Sequence, residues 1–292
     1  MYELIQAGEC SFYLDCPAKI GIWTADGRQV YLIDSGNDKD AGKKILKILK
    51  EQGWELKGII NTHSNADHIG GNQYLQKQTG CRIYANGIEA SFTRYPVLEP
   101  SFLYGGYPCK DLRHKFLMAG ESQVLDYEDE SFPKELEVIS LPGHFFHMTG
   151  IRTPDQTVFL ADCLSSETTL SKYGITFLYD VEQYLKTLDL VSGLKASLFV
   201  PSHAPAVTDI RESCRINKEK VLEIAETLTS FCQAPKTFEE VLKSTFDTYG
   251  LTMNFEQYVL VGSTVRSYLS WLKDQGKVKA AFVDNRLLWE AV

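Results

Sequence analysis

The ten residues Thr62-His63-Ser64-Asn65-Ala66-Asp67-His68-Ile69-Gly70-Gly71 constrain this chain more than any other stretch. Three metal-capable side chains and one amide fall within six positions. Leu56, Ile59 and Ile60 lead in as a short buried strand ending near Asn61, and Ile69, Tyr74 and Leu75 follow on a helix. The polar cluster therefore occupies a turn between strand and helix, where open α/β sheets place their ligand sites. In a loop all four side chains can converge on one point, which a straight helix or strand would not allow.

The flanking chain supports a layered α/β protein. Residues 2–34 alternate apolar and polar, with turns at Ala7-Gly8-Glu9 and Asp26-Gly27, and read as three or four antiparallel strands closed by Asp34-Ser35-Gly36. Residues 38–52 carry Ile45, Ile48 and Leu49 on one helical face. A helix over 70–79, a strand over 82–85 and a short helix over 87–92 follow. Residues 93–120, rich in Pro, Gly and Tyr, read as an irregular insert, either a lid or else a packed loop or dimer contact. Strands are expected at 122–127, 136–141, 158–161 (ending in Asp162) and 198–201 (ending in Ser202-His203), with a helix over 180–193. The order of strands and helices repeats, which suggests two sheets face to face with helices outside.

Beyond about 208 the pattern becomes helical. Val221, Ile224, Ala225 and Leu228 mark a long helix, Thr237-Phe238-Glu239-Glu240 a capped helix start, and Asp284-Asn285 a hairpin turn. The expected division is 1–207 for the sandwich, 208–235 for a bridging helix and 236–292 for a winged-helix-like domain. Residues 211–292 hold eleven Lys and Arg against eleven Asp and Glu, and the whole chain carries a formal charge of -8, so a nucleic-acid reader is not favoured. Seven scattered Cys without a CxxC, and no basic-then-apolar leader, fit a cytoplasmic protein with free thiols. No apolar run reaches the length of a membrane span.

Four of the six histidines, His63, His68, His144 and His203, fall at or just past expected strand ends, as do Asp67 and Asp162. Imidazole and carboxylate suit zinc, and also iron or manganese. Such an ion lowers the pKa of a coordinated water towards ~7. His63-x-Asn65-x-Asp67-His68 followed by His144, Asp162 and His203, with Asp34-Ser35-Gly36 and Leu141-Pro142-Gly143-His144, resembles the metallo-β-lactamase superfamily over about residues 2–207. The resemblance implies an α/β fold, a four-layer αββα sandwich. It also implies a metal-dependent hydrolase in which a coordinated hydroxide attacks an ester, thioester or lactone. Carried over by position, His63, Asn65 and His144 form one metal site, Asp67, His68 and His203 a second, and Asp162 bridges. The usual motif is HxHxDH, and this chain has Asn65 at its second histidine. One firm site, zinc first, and a second weakened or empty site are therefore expected.

Asp67 is expected to bind metal and orient the nucleophile, and His147 to protonate the leaving group or contact substrate. Asp34 is expected to support the metal loop through a hydrogen bond rather than ligate. Cys163 reads as a small buried filler. A small-molecule substrate is expected, and homodimerisation stays open. The rival readings are an endoribonuclease-type phosphodiesterase and an iron-binding redox or sensor protein without hydrolysis.

Overall fold

The computed structural model describes residues 2–292. Its first sheet takes strands β1 (Glu3–Gln6), β2 (Ser11–Asp15), β3 (Ile20–Thr24), β4 (Gln29–Ile33), β5 (Glu55–Asn61) and β6 (Arg82–Ala85) in sequence order. β1 to β4 form an antiparallel meander; β5 and β6 add in parallel after helical crossovers. The second sheet has the order β10-β9-β8-β7, from β7 (Glu137–Ser140), β8 (Thr149–Arg152), β9 (Thr157–Ser165) and β10 (Leu198–His203).

Side-chain alternation along the strands builds the layers. Ile22, Leu32 and Ile59 face outward and pack with Ile45 and Leu49 of α1 (Lys39–Glu51) and Leu75 of α3 (Asn72–Thr79). Their neighbours Trp23, Ile33 and Ile60 face inward and meet Ile151, Phe159 and Val200 of the second sheet. The outer face of that sheet packs on α7 (Val181–Ser192) and α8 (Arg211–Phe231). The result is the four-layer αββα sandwich.

α9 (Phe238–Tyr249) starts on a capping box between Thr237 and Glu240. α10 (Phe255–Asp274) follows, then the hairpin β11 (Val278–Val283) and β12 (Arg286–Ala291). Asp284 and Asn285 turn that hairpin with φ of 49° and 58°, the left-handed pair a two-residue loop requires. One apolar core runs from Leu160 and Phe199 of the second sheet through Leu228 and Val241 to Tyr268 and Val278. Among the described residues no helix is long and apolar enough to cross a membrane.

Three expectations are corrected. Residues 122–127 form no strand; Leu125 makes a single bridge to Tyr84. The 93–120 stretch is largely ordered: α4 (Ile88–Arg94) runs into it, α5 (Leu98–Tyr104) follows, and a 3-10 turn spans Lys110–Leu112. Pro100 is tolerated as the third residue of α5, because the first four helical N–H groups have no intrahelical acceptor to lose. Leu103, Leu112 and Leu117 then pack against Val259 of α10, which fastens the stretch to the C-terminal part. Finally, β9 does not end at Asp162 but continues to Ser165, with Ala161 at φ 50° and a register shift against Pro201. That local twist sets Asp162 inside a strand.

The short helix α2 (Ala66–Ile69) ends on Gly70-Gly71. A Cβ on Gly70 would lie 2.2 Å from the backbone carbon of Asn37. Gly70→Ala should therefore destabilise the fold by ~2–4 kcal/mol, read by urea unfolding, since neither backbone can yield without moving the metal loop.

Candidate metal centre

The grouped side chains come from both sheets and meet at one end of the sandwich. His63 follows β5, Asp67 and His68 sit on α2, His144 lies between β7 and β8, and His203 ends β10. Asp162 reaches them from within β9. The ligand atoms of Asp67, His68, Asp162 and His203 all lie within 4.8 Å of one another, as do those of His63, His144 and Asp162. Asp162 thus belongs to two adjoining sets. Its Oδ1 is 3.0 Å from His68 Nε2, and its Oδ2 is 3.1 Å from His203 Nε2 and 3.6 Å from His144 Nε2. Asp67 Oδ2 lies 3.4 Å from His203 Nε2 and 3.7 Å from His68 Nε2.

What aims these rings is a set of partners on their far sides. His68 Nδ1 lies 2.8 Å from Asp34 Oδ2. Asp34 is buried at φ 66° and also accepts from the Thr62 N–H (2.8 Å) and the Thr62 hydroxyl (2.7 Å). Because that hydroxyl already donates to Asp34, it can only accept from His63 Nδ1, 3.0 Å away. His203 Nδ1 donates to the Pro17 carbonyl at 2.9 Å. In three imidazoles, therefore, Nδ1 is committed as donor, which leaves Nε2 facing the centre as the atom that takes either a proton or a cation. His63 Nε2, His68 Nε2 and Asp162 Oδ1 are buried there without any hydrogen-bond partner. Imidazole nitrogens and carboxylate oxygens facing one another across about 3 Å need positive charge between them, which protons on His68 and His203 or a bound cation supply. The donor set of imidazole nitrogen and carboxylate oxygen, free of thiolate, fits a divalent cation.

The electrostatics carry the same message. Burial opposes charge on His68, but Asp162, Asp67 and Asp34 outweigh it and hold its pKa well above the usual value. Burial likewise opposes charge on His203, and Asp162 and Asp67 push it up to about 10. His63 moves the other way, well below its usual value, through burial and the neighbouring His68. The cluster thus retains protons on His68 and His203 at neutral pH when no cation is bound. Loading a divalent ion at pH 7 should release about two protons, and affinity should rise with pH as those imidazoles become easier to deprotonate. Calorimetry in buffers of different ionisation enthalpy reads the number; a value near zero would contradict this placement.

Asn65 Oδ1 is 3.2 Å from His144 Nε2, and its Nδ2 donates to Glu99 Oε1 at 2.7 Å. All seven residues expected around metal, His63, Asn65, Asp67, His68, His144, Asp162 and His203, are therefore brought together. His147 is placed elsewhere. Its exposed ring lies against Gly87, outside the grouped metal-binding sets among the described residues. The cause is the tight turn at Gly143, φ 125°, which packs on Tyr184 and directs His144 to the centre. The His147 N–H instead donates to Glu89 Oε1 at 2.7 Å.

Glu89 and Glu99 are the residues missed from the sequence. Both are buried carboxyls in α4 and α5, at 0% and 4% exposure. Glu89 braces the motif loop by accepting from the Ser64 N–H at 3.1 Å and from the Ser64 hydroxyl. Burial pushes its carboxyl up to about 7. The available signal was its place on an apolar stripe with Ala90, Phe92 and Thr93.

A sequence profile described as the metallo-beta-lactamase superfamily matches residues 22–203. The chain belongs to that superfamily. The probable metallo-hydrolase YybB of Bacillus subtilis (strain 168) is 26% identical over 204 residues, 68% of this chain and 88% of that protein. A hydroxyacylglutathione hydrolase of Pelagibacter ubique is 25% identical over 130 residues, 44% of this chain; the chain spans 45% of that relative's length. The crystal structure of a metallo-beta-lactamase family protein from Thermus thermophilus superposes with a TM-score of 0.68 at 17% identity, covering 100% of this chain and 98% of that one. At that identity the likeness shows the fold. Membership in this superfamily makes the chain a metal-dependent hydrolase.

Proposed function

We propose that this hydrolase cleaves thioesters, and more slowly esters or lactones, of small substrates without strong negative charge. The reading rests most on the three committed imidazoles whose Nε2 atoms share one centre with Asp162. His63, Asn65 and His144 would hold one ion, Asp67, His68 and His203 the other, with Asp162 between and zinc the first choice of metal. A bound divalent cation supplies Lewis acidity and a water acidic enough to ionise near neutral pH.

The chain's own groups do the rest. Asp67, partly exposed, would accept a hydrogen bond from the attacking water and turn it toward the carbonyl carbon. A cavity of about 360 Å³ opens over His144, Asp162 and His203, walled by Ile175, Phe177 and Leu260. The Phe177 ring stands edge-on to His144 at 5.5 Å between centroids. None of the residues lining this cavity is Lys or Arg. It suits an apolar acyl group better than a phosphodiester backbone or the two carboxylates of glutathione. With the cluster's imidazoles committed, the best leaving group is one that departs without a proton. A thiol, of pKa about 8.5, does so more readily than an alcohol. The relatives named hydroxyacylglutathione hydrolase support thioester chemistry, and the cavity argues for a thiol half other than glutathione. We assign residues 236–292 to the same task, because Gln257, Leu260 and Val261 of α10 line the cavity.

The test is a panel on metal-replete protein: an acyl-N-acetylcysteamine, the matching acyl-glutathione, a lactone and a bis-nitrophenyl phosphate. The neutral thioester should lead in kcat/KM by at least about tenfold. Faster phosphodiester cleavage, or an unchanged rate after exhaustive chelation, would overturn the reading.

A further inference from the structure

We propose that Glu99 is a positioning residue that locks the Asn65 amide with its oxygen turned toward the metal centre, completing the His63–His144 site as a nitrogen–oxygen site. The proposal rests on the ligand assignment above. A histidine presents a ring nitrogen whichever way its backbone neighbours lie. An asparagine presents either an oxygen, which can bind a cation, or an NH2 group, which cannot. Something must therefore choose between the two faces of Asn65.

The geometry supplies one chooser. Asn65 Nδ2 donates to Glu99 Oε1 at 2.7 Å, which leaves Oδ1 on the opposite side, 3.2 Å from His144 Nε2. Asn65 has no side-chain capping bond to α2 that would compete for the amide. Glu99 itself is held rigidly. It is the second residue of α5, is 4% exposed, and that helix is clamped onto Val259 of α10 through Leu103. His144 can donate to or accept from the amide according to its tautomer, so Glu99 alone selects the face, and the oxygen it leaves toward His144 is the one a cation there would bind. Glu99 does this without belonging to any group of potential ligands found among the described residues.

The test is metal binding by equilibrium dialysis and calorimetry on the full chain, with no substrate. Wild type should take two equivalents, the weaker at the His63–Asn65–His144 site. Glu99→Met keeps the volume of the buried side chain but removes the acceptor; it should weaken that equivalent by about tenfold or more and leave the tighter one within about twofold. Thermal unfolding of the variant checks that it remains folded, and Glu99→Gln, which keeps an amide oxygen able to accept from Asn65 Nδ2, should hold the weaker equivalent closer to wild type than Glu99→Met does. The decisive arm is the Asn65→Asp background. A carboxylate offers oxygen on both faces and needs no lock, so removing Glu99 there should leave the weaker equivalent unchanged to within about twofold. Equal weakening in both backgrounds, equal weakening of both equivalents, or a wild type that takes one equivalent only would each overturn the proposal. Since the readout is metal, a wrong substrate class for the enzyme leaves these outcomes unaltered.

Discussion

Asp162→Ala is expected to lower kcat/KM by more than about three orders of magnitude and to impair retention of both metal equivalents. No other residue stands in both ligand sets. Its two oxygens lie within 3.0–3.6 Å of His68, His144 and His203. Removing the carboxylate leaves those imidazoles facing one another without the negative charge that holds a cation among them. His68 and His203 should then titrate lower, since Asp162 is the leading cause of the upward shift in each. NMR titration of the imidazoles reads that change independently of turnover. A variant that keeps two equivalents and near-normal kcat/KM would show that Asp162 is not the shared ligand.

Asp34→Ala should act on stability first and on metal second. The carboxylate takes three hydrogen bonds at 2.7–2.8 Å from Thr62 and His68 while 2% exposed. Truncation strands those donors in the interior, at a cost of ~3–5 kcal/mol in unfolding free energy. Metal affinity of the Asp67–His68–His203 set should fall by about 10–100-fold, because His68 loses the partner that fixes its tautomer. The left-handed φ at this position adds a smaller effect of the same sign, since Ala tolerates it less well than Asp. Urea unfolding in the presence of chelator isolates the first effect from the second. A loss below about 1 kcal/mol would mean that the Asp34 network is not what braces the loop.

Much of the centre was legible because its chemistry sits where strand patterns stop. Asp34 closes a run of alternating residues, and His63 and His203 each follow a short continuous apolar run, so the pattern that reveals each strand also marks its end. Asp162 was legible as a residue type but not in its setting. The twist at Ala161 and the register shift at Pro201 are tertiary, and no local pattern announces that β9 runs on to Ser165. Glu99 was hidden by its surroundings: Pro96 and Pro100 suggest an irregular chain, whereas Pro100 is harmless in the first turn of α5. His147 shows the converse. Three residues from His144 it is near in sequence, but the Gly143 turn sends the two rings to different places. Nearness along the chain is a poor guide wherever the backbone leaves both regular periods.

Imidazole Nε2 atoms from both sheets and the Asp162 carboxylate would together surround a cation. X-ray absorption on the zinc- or cobalt-loaded chain tests it most directly. The spectrum should show nitrogen and oxygen alone around the metal at about 2.0–2.2 Å, with the outer-shell scattering of several imidazoles. A sulfur shell at about 2.3 Å, or absence of imidazole scattering, would contradict it.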